Sequence, residues 1–326
     1  MSQLVRSSPT EDYPQDLLEF QARFSTDAAC RDYLVDLRWP DGFRCPRCRH
    51  DHPCLIPGAL VPCARCHHQT SVSAGTSCRD TKKPLRLWFR AIWYVTSHNN
   101  VVSALGLQRI LGIRSYVTAW SWLHKLRRAM VRPGRGRLKG VVEVAETCLG
   151  SLEGGVGGRE TERKALIAVA AEVHGKGIGR IRLGLIPDAS ACNLHTFVLG
   201  SIDAGSVVHT DGWKGYSGIK EFGYRRKVTV LAGRRKKPHE LMPRVQRVAS
   251  LLKRWLLGTH QGAISHEHLQ YYLDEFTFRF NRRTSRHRGK LFYRLLQQAM
   301  QTSPVLYSAL SKGIRPGPQR RQRRRA

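Results

Sequence analysis

The chain has 326 residues, enough for two or three modules with at least one sizeable core, and a hydrophobic fraction of 41% argues for a folded protein. Its 55 Lys and Arg against 24 Asp and Glu leave a formal net charge of +31; a compact state so charged repels itself and calls for a polyanionic partner. No run approaches the roughly 18 apolar residues of a membrane span. Met1 to Glu19 is polar and acidic, unlike a secretory signal. A cytoplasmic protein is expected, whose nine cysteines serve as metal ligands or buried thiols rather than disulfides.

Residues 1–40 read as an N-terminal helical segment. Leu17, Leu18, Phe20, Phe24, Tyr33, Leu34 and Leu37 recur at helical spacings, Ser25 or Thr26 can cap the second helix, and Pro40-Asp41-Gly42 stops it. Residues 41–82 are small, turn-forming and rich in cysteine. From 83 to 132 the helical period returns, over Leu85–Val95, over Ser103–Leu111 up to the break at Gly112, and over Tyr116–Met130. Pro133-Gly134-Arg135-Gly136 opens a basic linker, 133–139, expected to be flexible.

Beyond the linker the period becomes that of strands: Gly140–Leu149, Ala165–Val173 and Gly179–Ile186. A helix over Ala189–Leu199 follows, then a strand over Ser206–Thr210 ending at Asp211. A short helix (Tyr216–Phe222), a strand (Lys227–Leu231) and helices over Pro243–Leu257 and His266–Phe280 complete the pattern. Three strands followed by alternating helix and strand predict a mixed sheet flanked by helices, assigned to 140–302. Residues 303–326 read as a basic, disordered tail. The fold class is multidomain α+β.

Cys45-Pro-Arg-Cys48 and Cys63-Ala-Arg-Cys66 are two C-x2-C pairs. Each pair sets two thiolates on one tight turn, and two such turns close a four-thiolate structural zinc site with no open position for catalysis. A polar stretch of this length cannot build a core alone, so the metal supplies folding energy. Cys54 and Cys78 stand outside the pairing, as do His50, His52, His67 and His68.

The segments Ser103–Gly112 and Tyr116–Leu126 have the layout of a helix-turn-helix. Tyr116, Trp120, Leu123, Leu126 and Met130 line one face, leaving Ser115, Thr118, Ser121, Lys125 and Arg128 for bases or phosphates. Basic residues crowd Lys125–Lys139, Arg225–Lys237 and Arg279–Lys290. Lys125, Arg127, Arg128, Lys253, Arg254, Arg282 and Arg283 are the candidate DNA contacts, of the kind that sets phosphate affinity rather than sequence choice.

Arg38-Trp-Pro-Asp-Gly-Phe-Arg-Cys-Pro-Arg-Cys48 and Gln69-Thr-Ser-Val-Ser-Ala-Gly-Thr76 resemble the opening of a bacterial group of insertion-sequence transposases with an N-terminal zinc ribbon. Val142-Glu-Val-Ala-Glu-Thr147, Thr210-Asp-Gly-Trp-Lys-Gly-Tyr216 and Ser250-Leu-Leu-Lys-Arg-Trp255 resemble motifs of its ISXO-like DDE domain, and His260-Gln-Gly262 and Tyr272–Arg283 extend the match. The resemblance implies an RNase H-like domain that cleaves and joins DNA with two Mg²⁺ or Mn²⁺ ions held by converging carboxylates. It further implies double-stranded DNA as partner, homo-oligomers on paired element ends and a place on the nucleoid.

Carried over position by position, the family's first Asp falls on Ala145, its second on Asp211, and its third acid on Gln246. Asp211 is the one intact carboxylate, so the resemblance implies a catalytically impaired transposase. Glu143 shares a strand face with position 145 and is the candidate substitute, displaced by about 6.6 Å along the strand; Glu146 points the other way. Lys253, seven residues after Gln246, shares its helix face and can reach phosphate. The alternative reading, from a different class, is a non-catalytic zinc-ribbon and helix-turn-helix regulator that binds DNA without cutting it.

Overall fold

The computed structural model describes residues 11–54, 60–78, 83–98, 101–132, 134–150, 164–230, 238–260 and 265–312. In chain order the elements are α1 (Leu17–Arg23), α2 (Asp27–Arg38), β1 (Leu60–Pro62), β2 (Gln69–Ser71), α3 (Leu85–Ser97), α4 (Ala104–Leu111) and α5 (Tyr116–Ala129). There follow β3 (Val141–Leu149), β4 (Ala165–His174), β5 (Gly177–Ile186), α6 (Ala191–Ser201), β6 (Val207–Thr210) and β7 (Arg225–Val228). The chain continues through α7 (Pro238–Leu241), α8 (Pro243–His260), α9 (His266–Phe280), α10 (Arg288–Gln301) and α11 (Tyr307–Ser311), the last a short helix with a buried Leu310 inside the stretch 303–326 expected to be a disordered tail. They form two compact units, Met1–Pro133 with Thr284–Leu310, and Gly134–Arg283 with Ser311–Ala326. Among the described residues no helix is long and apolar enough to cross a membrane.

Three helices of the first unit, α2, α4 and α5, are capped by side chains the sequence offers. Thr26, Ser103 and Ser115 accept the N–H groups of Ala29, Gly106 and Thr118, and Gly112 ends α4 in the left-handed conformation at φ 62°. The unit's apolar faces meet in an aromatic cluster, with Phe20 stacked on Trp93 at 4.5 Å, Phe24 edge-on to Phe89 at 4.8 Å, and Phe292 of α10 within 5.3 Å of Phe20. Trp88 of α3 and Trp122 of α5 stack at 4.1 Å. Residues 288–301, which the sequence reading grouped with the sheet, therefore supply a core helix of this unit, because Leu291, Phe292, Leu295, Leu296 and Ala299 bury one face there.

In the second unit the five strands are ordered β5-β4-β3-β6-β7, with β3, β4 and β5 antiparallel and β6 and β7 parallel to β3. Alternation sends Val142, Val144, Leu166, Ala168 and Ala170 to one face, where Leu194 and Val198 of α6 and Tyr216 complete a core. On the other face α8 lies over β3 and β4, and α9 lies along β5. Edge strand β5 is covered by side chains rather than by another strand. Gln270 accepts the Leu185 N–H at 2.9 Å, and Asn281 both accepts the Ile181 N–H at 2.7 Å and donates to its carbonyl at 3.1 Å.

The expected flexible linker is ordered from Gly134 onward. Leu138 is fully buried, donates its N–H to Ser201 and accepts that of Asp203. Glu172 accepts the Lys139 N–H, and the guanidinium groups of Arg180 and Arg182 hold the carbonyls of Gly136 and Arg137. Leu138→Ala should destabilise the sheet unit by about 2–5 kcal/mol in denaturant unfolding of the full chain, the cost of a buried leucine. A loss within the ±0.5 kcal/mol or so of a surface substitution would show that the segment lies outside the core.

Candidate functional site

The cysteine pairs fold as two copies of one turn. Cys45 and Cys63 donate their N–H groups to the carbonyls of His50 and His68 and accept from Arg49 and His67. Arg49 and His67 adopt positive φ of 59° and 55°, so each chain reverses at the same point after its first cysteine. The four sulfurs lie within 4.8 Å of one another, with Cys45–Cys66 at 3.6 Å and Cys48–Cys63 at 3.5 Å. A tetrahedron with Zn–S bonds of about 2.3 Å has sulfur–sulfur edges of about 3.8 Å, so the four positions fit one such ion. Burial would raise the Cys45 thiol, but the backbone N–H groups of Cys48 and Arg47 hold it below its ordinary value, while burial and its contacts with the other thiols push the neighbouring Cys48 thiol up.

In the sheet unit, β3 pairs with β6 through Val141↔Val207, Val142↔Val208 and Glu143↔His209. Continued by two residues, that register sets Ala145 level with Asp211, just past the end of β6. Ala145 is only 9% exposed. Asp211 is partly exposed, and its Oδ1 accepts the Trp213 N–H at 3.0 Å, closing a tight turn. The turn is braced from outside. Trp213 Nε1 donates to the Ala189 carbonyl at 2.8 Å, and the Arg226 guanidinium donates to the carbonyls of Asp211 and Trp213. Glu146 accepts the Tyr216 hydroxyl on the α6 side of the sheet, the direction expected from strand alternation.

Gln246 lies in the first turn of α8, partly exposed. That turn is tied to β3 by Glu143, itself 1% exposed, which accepts the N–H groups of Arg244 at 2.9 Å and Val245 at 3.1 Å and pairs with the Arg244 guanidinium at 3.0 Å. Glu143, the candidate substitute ligand, thus has both oxygens engaged by the first turn of α8. His209 sits beside this pair, and burial lowers its pKa.

With this geometry in view, two family models match the chain: a transposase zinc-ribbon domain over residues 25–69 and an ISXO2-like transposase domain over 137–281. The chain carries both domains of insertion-sequence transposases of this kind. A protein in transposable element ISH50 of Halobacterium salinarum is 24% identical over 280 residues, covering 78% of this chain and 91% of its own. A solved Mos1 transposase paired-end complex with left transposon end aligns over 65% of this chain and 75% of its own at 11% identity, with a TM-score of 0.23, too low to bear on the fold.

The structure treats the candidate DNA contacts unequally. Arg128, Lys253 and Arg254 are exposed and Lys125 is half-buried. Arg127 is 3% exposed and donates to the Val102 carbonyl, so in this conformation it braces α5 from within instead of facing outward. Arg282 lies over the Phe278 ring at 4.0 Å. Arg283 lies over Phe280 at 4.1 Å and donates to the carbonyls of Gly179 and Ile178, extending the cover of β5. Residues 231–237 of the second basic stretch, 261–262 of the His260-Gln-Gly262 motif and 313–326 of the tail lie outside the described residues.

Purified chain should carry one equivalent of zinc by elemental analysis, and Cys48→Ser or Cys66→Ser should lose it. Zinc far below one equivalent in the unsubstituted protein would sink the four-cysteine assignment.

Proposed function

We propose that this chain is a DNA-binding transposase whose strand cleavage and strand transfer are impaired at two of three metal-binding positions. The observation that carries the reading is the register that sets Ala145, midway along β3, level with Asp211 just past the end of β6, where one position offers a carboxylate and the other a methyl group. The strand order, with two parallel strands added beside an antiparallel trio, supports an RNase H-like sheet. In such a sheet, positions 145 and 211 and the start of α8 are where ligands would converge.

The residues present do not fit two divalent ions. Hard cations demand carboxylate oxygens; Ala145 supplies nothing and Gln246 a neutral amide. Loss of one carboxylate ligand is expected to cost about 10³-fold in rate, equivalent to roughly 4 kcal/mol of barrier. Glu143 offers no relief while it holds α8.

DNA binding rests on independent features. The net charge is +31, and α4 and α5 form a capped helical pair in which Arg114, Ser115, Tyr116 and Val117 stand exposed at the start of α5. That arrangement supports a helix-turn-helix whose second helix enters a groove. One structural zinc in the ribbon, double-stranded DNA as partner, homo-oligomers on paired ends and a nucleoid location complete the proposal. The alternative, a regulator that binds without cutting, is favoured by the same two positions, and in it Asp211 serves only its turn.

Two measurements test the proposal. Affinity for duplex DNA should fall by about 10³-fold or more between roughly 50 and 200 mM salt, as counterion release by several phosphate contacts requires; a flat salt response would remove the electrostatic interface. Strand transfer on supercoiled plasmid with Mg²⁺ or Mn²⁺ should be undetectable for the chain as it stands and measurable for Ala145→Asp with Gln246→Glu. Equal activity in both proteins would overturn the impairment, and inactivity in both would favour the regulator.

A further inference from the structure

The positions that read as a degraded site are held by a side chain that remains fully engaged. The first N–H groups of α8 have no partners within the helix. The residue before Pro243 is Met242, whose side chain is no cap. The acceptor comes instead from β3, with Glu143 Oε2 taking the N–H groups of Arg244 and Val245 across 101 and 102 residues of sequence. Proline at the first helical position leaves these as the donors in most need of an acceptor. Arg244 carries the tie further, pairing with Glu143 Oε1 and donating to the carbonyls of Gly175 at 2.8 Å and Gly177 at 3.2 Å in the β4–β5 turn. Strand, helix start and hairpin turn therefore meet on one Glu143–Arg244 pair.

Resting on the reading of positions 145, 211 and 246 proposed above, we infer that Glu143 is a positioning residue. It fixes the first turn of α8, and Gln246 with it, against the strand that carries Ala145. The frame of the three-position site then persists although two of its acids are absent. Two residues separate Glu143 from Ala145 on one strand face, and one residue separates Val245 from Gln246. Any movement of the carboxylate is therefore passed to both positions at once. A shorter side chain at 143 would pull the helix start or break its cap, and a neutral one would leave the Arg244 guanidinium without its counter-charge.

The test uses the full chain carrying Ala145→Asp and Gln246→Glu, with Mn²⁺ alone as probe and electron paramagnetic resonance of free Mn²⁺ as readout. This chain should bind Mn²⁺. Adding Glu143→Asp, which keeps the charge but withdraws the carboxylate by one methylene, should weaken that binding about tenfold or more, the usual effect of disturbing a group that orients metal ligands. Zinc content and DNA affinity should not change. Glu143→Gln takes its place where the shorter side chain prevents folding. In the unsubstituted background the same changes should speed amide exchange at Arg244 to Val248 before other parts of α8. Unaltered Mn²⁺ affinity, with or without faster exchange, reduces Glu143 to a helix cap and overturns the positioning role alone. Failure of the two-acid chain to bind Mn²⁺ overturns the reading of the three positions and the inference with it.

Discussion

A carboxylate buried in the middle of a sheet must be met by donors, since an unpaired charge there would cost far more than a fold can spare. Glu143 is met by two backbone N–H groups and a guanidinium, all from the first turn of α8. This one requirement organises the α8 side of the sheet. It sets where α8 begins, draws Arg244 down onto the β4–β5 turn, and leaves Val245, Val248, Ala249 and Leu252 to bury their side chains. Removing one partner of such a pair typically costs about 3–5 kcal/mol, so the contact outweighs any single surface ion pair in the molecule.

The other boundaries of the sheet unit follow a similar logic, in which long polar side chains answer backbone groups that no strand reaches. Gln270 and Asn281 supply donors and acceptors to β5, and Arg283 caps further carbonyls beyond them. At the entry to the unit, Glu172 fixes Arg180 with several hydrogen bonds, and Arg180 with Arg182 fixes the chain from Gly136 to Lys139. Some of the charge excess is thus internal scaffolding. Around the paired cysteines the described residues form only a small buried cluster, Phe43, Cys45 and Cys63, with Trp39 and Val61 against them. Closure there depends on the four thiols themselves.

Local chemistry was legible in the sequence and long-range pairing was not. The strand and helix limits over 140–280 fall within a few residues of those observed, because alternation on a half-buried strand is written in neighbouring residues, as is the cap at Thr26 in the first unit. The paired cysteines are equally local. Helix α10 carried a readable signal in Leu291, Phe292, Leu295, Leu296 and Ala299, but no local period says which core such a stripe will join. Arg127 shows what a tally of basic residues leaves out: the tally records charge, and a guanidinium on a long apolar stem can be buried against a carbonyl as readily as displayed. Glu143 drew attention as a spare carboxylate, and only its partners in α8 gave it a different role.

The two kinds of acid in this sheet therefore answer to opposite physical demands. Carboxylates gathered to hold cations repel one another when no cation is present, and each pays for its own desolvation, so a fold gains stability when one becomes Ala or Gln. A carboxylate that caps a helix and neutralises an arginine does the reverse; its removal loosens everything it joins. On the proposed reading Ala145, 9% exposed and level with Asp211, is the first kind of loss, and the sheet closes around it without a change of register. The same strand keeps Glu143 two residues away. On this account a transposase can lose its chemistry by steps that leave the architecture intact, and the order of loss is set by which acids the fold itself uses.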